Sequence, residues 1–111
     1  MRVENWPENV VLVHLPREVQ RHTELQTTID TVSKTGDSDV VADFSNVDIA
    51  GSLTFSRLLE LRSVLRESGH RLILCNVAPA TKSVFAATEL ERLFEFAESE
   101  SAALATLRAN G

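Results

Sequence analysis

A single cysteine, Cys75, stands in a chain of 111 residues. No intramolecular disulfide can form, and one thiol cannot build a zinc site alone. Glycine is nearly as scarce. The only four, Gly36, Gly51, Gly69 and Gly111, lie too far apart for a glycine-rich phosphate cradle. No apolar run approaches the ~18 residues that would mark a membrane span. The opening stretch, Met1-Arg2-Val3-Glu4-Asn5-Trp6-Pro7, carries charges where a signal peptide needs an apolar segment. Positive charge is also short: 11 Lys and Arg face 16 Asp and Glu, a formal net charge of −5. Phosphate neutralisation requires clustered Lys and Arg, so the balance argues against a nucleic-acid partner. These absences leave a reducing, cytoplasmic location with no membrane and no nucleic acid as the expectation.

What remains is the composition of a globular protein, 43% hydrophobic and 24% charged. The length suits one domain, 1–111, able to bury roughly 65% of its unfolded surface. Val10-Val11-Leu12-Val13-His14-Leu15 is a β-branched apolar run between Pro7 and Pro16, which predicts a strand. Arg2–Trp6 is its expected hairpin partner across a Pro7-Glu8-Asn9 turn. From about Arg21 the period changes: Leu25, Ile29 and Val32 share one helical face, and Gly36 ends it. Val40–Phe44 then reads as a buried strand closed by the turn-formers Ser45 and Asn46. The clearest helix spans 52–68, with Phe55, Leu58, Leu59, Leu61 and Leu65 on one stripe and Gly69 as terminator. Arg71–Val77 is apolar on both faces, as suits a strand inside a helix-covered sheet. Pro79 starts a helix anchored by Val84 and Phe85. Leu93-Phe94-Glu95-Phe96 alternates like a short strand, and Ser101–Arg108, with Leu104 and Leu107, closes the chain as a helix. Strands alternating with helices of this length imply crossover connections and a largely parallel sheet. The fold class is α/β.

Catalytic chemistry has no visible constellation. His14, His22 and His70 are scattered, with no ligand-like spacing, so neither a metal nor another cofactor is expected. Cys75 sits in an apolar strand with no adjacent base and reads as a small buried hydrophobe. Glu89, Glu91, Glu95, Glu98 and Glu100 read as a solvated acidic face rather than paired catalytic carboxylates. No nucleophile–base pair can be named, so the chain is not expected to be an enzyme. One segment stands out: Asp48-Ile49-Ala50-Gly51-Ser52-Leu53-Thr54-Phe55-Ser56. It sets small and hydroxyl residues at the N-terminus of the strongest helix, where unpaired N–H groups and the positive dipole end collect. A hydroxyl at Ser52 can cap that helix, and a phosphate on it would be held by the same amides.

These residues, in order, resemble the STAS domain of bacterial anti-sigma-factor antagonists over most of the chain. Val40-Val41-Ala42-Asp43-Phe44-Ser45-Asn46-Val47 is similar to that family's strand and turn before its phosphorylation loop, and Ser52 stands where its phosphorylatable serine stands. The stretch from Gly69 through Leu72-Ile73-Leu74-Cys75-Asn76-Val77-Ala78-Pro79 resembles its strand leading to a proline-started helix. Glu89-Leu90-Glu91-Arg92-Leu93-Phe94 and Ser101-Ala102-Ala103-Leu104-Ala105 echo its C-terminal part. Arg17-Glu18-Val19-Gln20-Arg21-His22-Thr23 takes the place of a first loop that lies beside the serine in that family. The resemblance implies a STAS-like domain with a mixed, mainly parallel sheet of four or five strands flanked by about four helices. It implies partner switching rather than catalysis: the unphosphorylated domain binds a serine-kinase anti-sigma factor or related switch kinase, which phosphorylates the serine to break the complex.

By that resemblance Ser52 is the candidate phosphoacceptor, with Thr54 and Ser56 as alternates. The candidate partner-binding surface comprises Arg17, Gln20, Arg21, His22, Thr23, Gly51, Leu53, Thr54, Phe55 and Ser56. Whether Leu53 and Phe55 belong to the core or to an interface is open in the pattern. Five positions depart from the family: Gly51 replaces an Asp before the serine, Leu53-Thr54 replaces Ser-Gly after it, Arg17 replaces a Gly and Gln20 an Asp. Two acidic groups are thereby lost beside the hydroxyl, while Arg17, Arg21 and Arg57 make that face neutral to basic. The losses favour an alternative, a constitutive scaffold on the same fold without phosphoregulation. A small-ligand-binding module is a further one.

Overall fold

The computed structural model describes residues 3–5, 9–16, 20–47 and 51–109, with backbone alone for 3–5, 20 and 21. The described elements are β1 (Val3–Asn5), β2 (Val10–His14), α1 (Gln20–Thr35), β3 (Asp39–Asp43), α2 (Ser52–Glu67), β4 (Leu72–Cys75), α3 (Pro79–Ala87), β5 (Glu95–Ala97) and α4 (Glu100–Ala109). A 3-10 turn at Leu90–Leu93 precedes β5. The five strands lie in sequence order, β1-β2-β3-β4-β5. β1 pairs antiparallel with β2, and the other three pairings are parallel.

Strand alternation divides the core in two. Val11, Val13, Leu15, Val40, Ala42, Phe44, Leu72 and Leu74 face α1, α2 and α3, which bury Leu25, Ile29, Val32, Leu58, Leu61, Leu65 and Phe85 against them. Successive parallel crossovers of one hand put those three helices on one face. Val10, Leu12, Val41, Ile73 and Cys75 point the other way and are covered by Ala103 and Leu107 of α4, with Leu104 beside them. Among the described residues, α4 is the one helix on that face. Phe85 is the hub of the larger core, meeting Phe55, Phe94 and Phe96 edge-on at centroid distances of 4.8, 5.5 and 5.2 Å.

Punctuation falls where the backbone needs it. Gly36 and Gly69 both take positive φ, at 65° and 77°, just past the ends of α1 and α2. Pro79 occupies the first turn of α3, where its missing N–H costs nothing.

Three expectations need correction. Val84 does not anchor α3: it is 39% exposed, while Thr81 and Phe85, four apart, face inward. The Leu93–Phe96 strand is shorter than its alternation suggests, because Leu93 closes the 3-10 turn and is exposed. The acidic run is not uniformly solvated either, since Glu95 pairs with Arg71 and Glu100 is drawn toward the sheet.

Candidate functional site at the carboxyl edge of the sheet

Parallel register stacks the strand ends: His14 lies opposite Asp43, and Asp43 opposite Cys75. Loops leaving this carboxyl edge are where open α/β sheets place their sites. After β3 the chain turns at once. Asp43 Oδ1 accepts the Ser45 backbone N–H at 2.8 Å and the Ser45 hydroxyl at 2.5 Å, an aspartate-stabilised turn. The Asn76 amide donates to the same oxygen at 3.2 Å. Asn76 itself sits in left-handed backbone, φ 56°, which asparagine tolerates. Asp43 is thus pinned from two loops although only 5% exposed.

The turn delivers the chain to α2. Gly51, in extended backbone (φ −96°, ψ −179°), is the N-cap, and the Phe55 N–H bonds its carbonyl at 3.2 Å. Among the described residues, no side chain caps this helix. Ser52 is therefore the first helical residue and does not cap, because the residue before it already takes the cap conformation. Its side chain is exposed, as are Leu53 (44%) and Ser56.

The other proposed surface residues sort by helical phase. Thr54 is fully buried, and Phe55 is 8% exposed inside the larger core, so neither belongs to an exposed surface or, for Thr54, to an accessible phosphoacceptor. The Thr54 hydroxyl meets His22 Nε2 of α1 at 3.3 Å. That bond brings the His22–Thr23 segment against the helix start. A groove of about 310 Å³ lies between the two, lined by His22, Thr23, Gln26, Thr27 and Arg57. Gln20 and Arg21 are placed by backbone alone at the first positions of α1, and Arg17 lies outside the described residues.

Among the described side chains, Arg57 is the basic residue that lines this groove. Arg57 is engaged by Glu60 at 3.3 Å. Arg62, Arg66, His70 and Arg71 instead line a cleft of about 390 Å³ at the opposite, amino edge of β4. Arg71 is there held by both Glu95 oxygens, and Arg62 Nε donates to the Leu93 carbonyl at 2.5 Å.

A second constellation at the carboxyl edge escapes local spacing altogether. His14 Nε2 stands 2.8 Å from Glu100 Oε2 and 3.8 Å from Asp43 Oδ2. Asp43 and Glu100 are hydrogen-bonded to each other. That bond, reinforced by burial, raises the Glu100 pKa, while the His14 ring pulls the other way. Burial alone would raise Asp43, but the bonds to Glu100, Ser45 and Asn76 outweigh it and hold this carboxyl low. Burial, then the charges of Asp43 and Glu100, push the neighbouring Cys75 thiol up to about 12. His14 and Glu100 are 86 residues apart, so only the tertiary fold joins them.

The arrangement of an exposed serine opening the helix after β3, on a sequentially ordered sheet with one antiparallel edge strand, agrees with a match of residues 7–103 to the STAS domain. The chain belongs to the STAS domain family. Solved structures share its fold. RsbS of Moorella thermoacetica superposes with a TM-score of 0.84 at 14% identity, covering 97% of this chain and 94% of that one. An anti-sigma-factor antagonist STAS domain protein of Planctomyces limnophilus gives 0.77 at 21%, covering 96% and 97%. The Bacillus cell fate determinant SpoIIAA in its phosphorylated form gives 0.74 at 20%, also covering 96% and 97%. The STAS fold expected from the sequence is the fold observed. Among the described residues, no helix is long and apolar enough to cross a membrane.

Proposed function

We propose that this STAS domain is a non-catalytic regulatory module that binds a serine-kinase anti-sigma factor or related switch kinase through Gly51, Ser52, Leu53 and Ser56, with His22 and Thr23 beside them. Ser52 is the residue at which that contact is switched. The observation that carries the reading is the exposure of Ser52 at the first position of a 16-residue helix that no described side chain caps. A phosphate there would sit over the unpaired amides of the first turn and add nearly two negative charges. A partner covering Leu53 would then have to desolvate a dianion. A penalty of a few kcal/mol is enough to weaken binding a hundredfold or more. SpoIIAA, solved in a phosphorylated form, is an example of a modified protein of this fold.

Gly51 favours a second reading, a constitutive interaction domain, because a glycine and not a carboxylate precedes the hydroxyl in the chain to guide a kinase. One experiment separates the two. The protein is incubated with a serine-kinase anti-sigma factor and ATP, and phosphate is located by mass spectrometry. Binding of wild type, Ser52→Ala and Ser52→Asp to the same kinase is then compared. Phosphate on Ser52 with at least tenfold weaker binding of Ser52→Asp supports the switch. Equal affinities and no modification of Ser52 or Ser56 leave the scaffold.

A further inference from the structure

The His14–Asp43–Glu100 constellation lies on the opposite face of the sheet from α2 and takes no part in the proposed contact. We propose that these three side chains form a binding site for a divalent transition-metal ion, with Zn²⁺ the best-matched probe, which fastens the start of α4 to the carboxyl ends of β2 and β3.

Three observations carry this. First, the donor set is one imidazole nitrogen and two carboxylate oxygens, all within 4.8 Å of one another. Ligands about 2.1 Å from a tetrahedral zinc lie about 3.4 Å apart, and the 2.8 and 3.8 Å separations from His14 Nε2 bracket that value. Small rotations suffice to admit an ion.

Second, Asp43 is oriented as a buried ligand is. Its Oδ1 is saturated by Ser45 N–H, Ser45 hydroxyl and Asn76 amide, so Oδ2 is the oxygen left facing the imidazole. Outer hydrogen bonds of this kind fix a ligating carboxylate in metal sites.

Third, access is one-sided. The Asp43 side chain is only 6% exposed, whereas those of His14 and Glu100 are 35% and 30% exposed. An ion can enter from solvent and keep a water as its fourth ligand. The imidazole selects against Mg²⁺ and Ca²⁺, which prefer oxygen ligands throughout.

Because Glu100 begins α4 while His14 and Asp43 end strands, occupancy ties the single helix on this face to the sheet. Binding must therefore raise thermal stability. The test uses the full chain, stripped by a chelator, with Zn²⁺ or Mg²⁺ added at equal concentration. Calorimetric titration and thermal melts are run on wild type, His14→Ala, Glu100→Gln and His70→Ala. Glu100→Gln keeps the shape and hydrogen bonding of the helix start, so it remains informative should His14→Ala fold poorly. His70, bonded to Asp39 at 3.1 Å at the far edge of the sheet, controls for adventitious histidine binding. The expected result is one equivalent of Zn²⁺ bound and a Tm rise of several degrees that Mg²⁺ does not produce. Zn²⁺ affinity should fall at least tenfold in Glu100→Gln and in any folded His14→Ala, and stay unchanged in His70→Ala. No Zn²⁺-dependent rise in wild type, or a rise undiminished in Glu100→Gln, overturns the proposal.

Discussion

Two hydroxyls two residues apart, Ser52 and Thr54, face opposite environments, and each substitution should report its own. Thr54 is fully buried and bonded to His22. Thr54→Val removes a hydroxyl from the packed interior and leaves the imidazole without that partner, so stability should fall by about 1 kcal/mol in urea denaturation. Ser52 is exposed and caps nothing, so Ser52→Ala should stay within about 0.5 kcal/mol of wild type. Any loss of partner binding by Ser52→Ala would then be a surface effect, not unfolding. Cys75 offers a third residue-level readout. A thiol pushed up to about 12 is harder to ionise than a free one. At pH 8 only about one thiol in ten thousand would be thiolate, and the residue is fully buried besides. Native protein should resist iodoacetamide, and protein unfolded in urea should label at the ordinary rate of a free cysteine. Rapid native labelling would contradict both the burial and the pKa direction.

At the scale of elements, the start of α2 carries a glycine where an aspartate would do more. Gly51 has ordinary extended backbone, and a Cβ built on it meets nothing within 4 Å. Gly51→Asp should therefore fit. It would add a side-chain cap and a negative charge at the positive end of the helix, together raising stability by about 0.5–1 kcal/mol in denaturant titration. A loss of stability would show that the loop, not the cap, governs this end. Element order was legible in the sequence because periodicity is a local signal: Leu25, Ile29 and Val32 announced α1, and the Phe55–Leu65 stripe announced α2. Short elements were less legible. In the nine-residue α3, Val84 and Phe85 adjoin, and the pattern cannot choose which one faces inward when the buried partner is a threonine, Thr81. Of the candidate surface, the exposure of Leu53 and Ser56 and the burial of Phe55 needed the phase of α2, which Gly51 sets as N-cap. The His14–Asp43–Glu100 constellation was illegible for a different reason. Its members come from two strands and a helix, and parallel register creates their proximity without leaving any trace in spacing.

At the scale of the whole molecule, the two faces of the sheet are unequally defended. Three helices and four interlocked phenylalanines guard one, whereas among the described residues α4 is the one helix that covers Val10, Leu12, Val41, Ile73 and Cys75 on the other. Regions that bury few apolar contacts open at lower free energy than the global transition. Detachment of α4 should be the cheapest opening that exposes apolar core, and Cys75 is a built-in reporter of it. Leu107→Ala removes the larger of the two α4 side chains buried in that face, at a cost of about 2–3 kcal/mol. If α4 opens on its own, that cost falls on the opening equilibrium, and Cys75 labelling under native conditions should accelerate by about 30- to 150-fold. Phe85→Ala supplies the contrast. It wounds the opposite core by about 3–5 kcal/mol, so it should lower global stability more than Leu107→Ala and yet quicken Cys75 labelling less, as long as the fold holds. Labelling rates that merely follow global stability in both variants would mean that α4 leaves only when the whole sheet does.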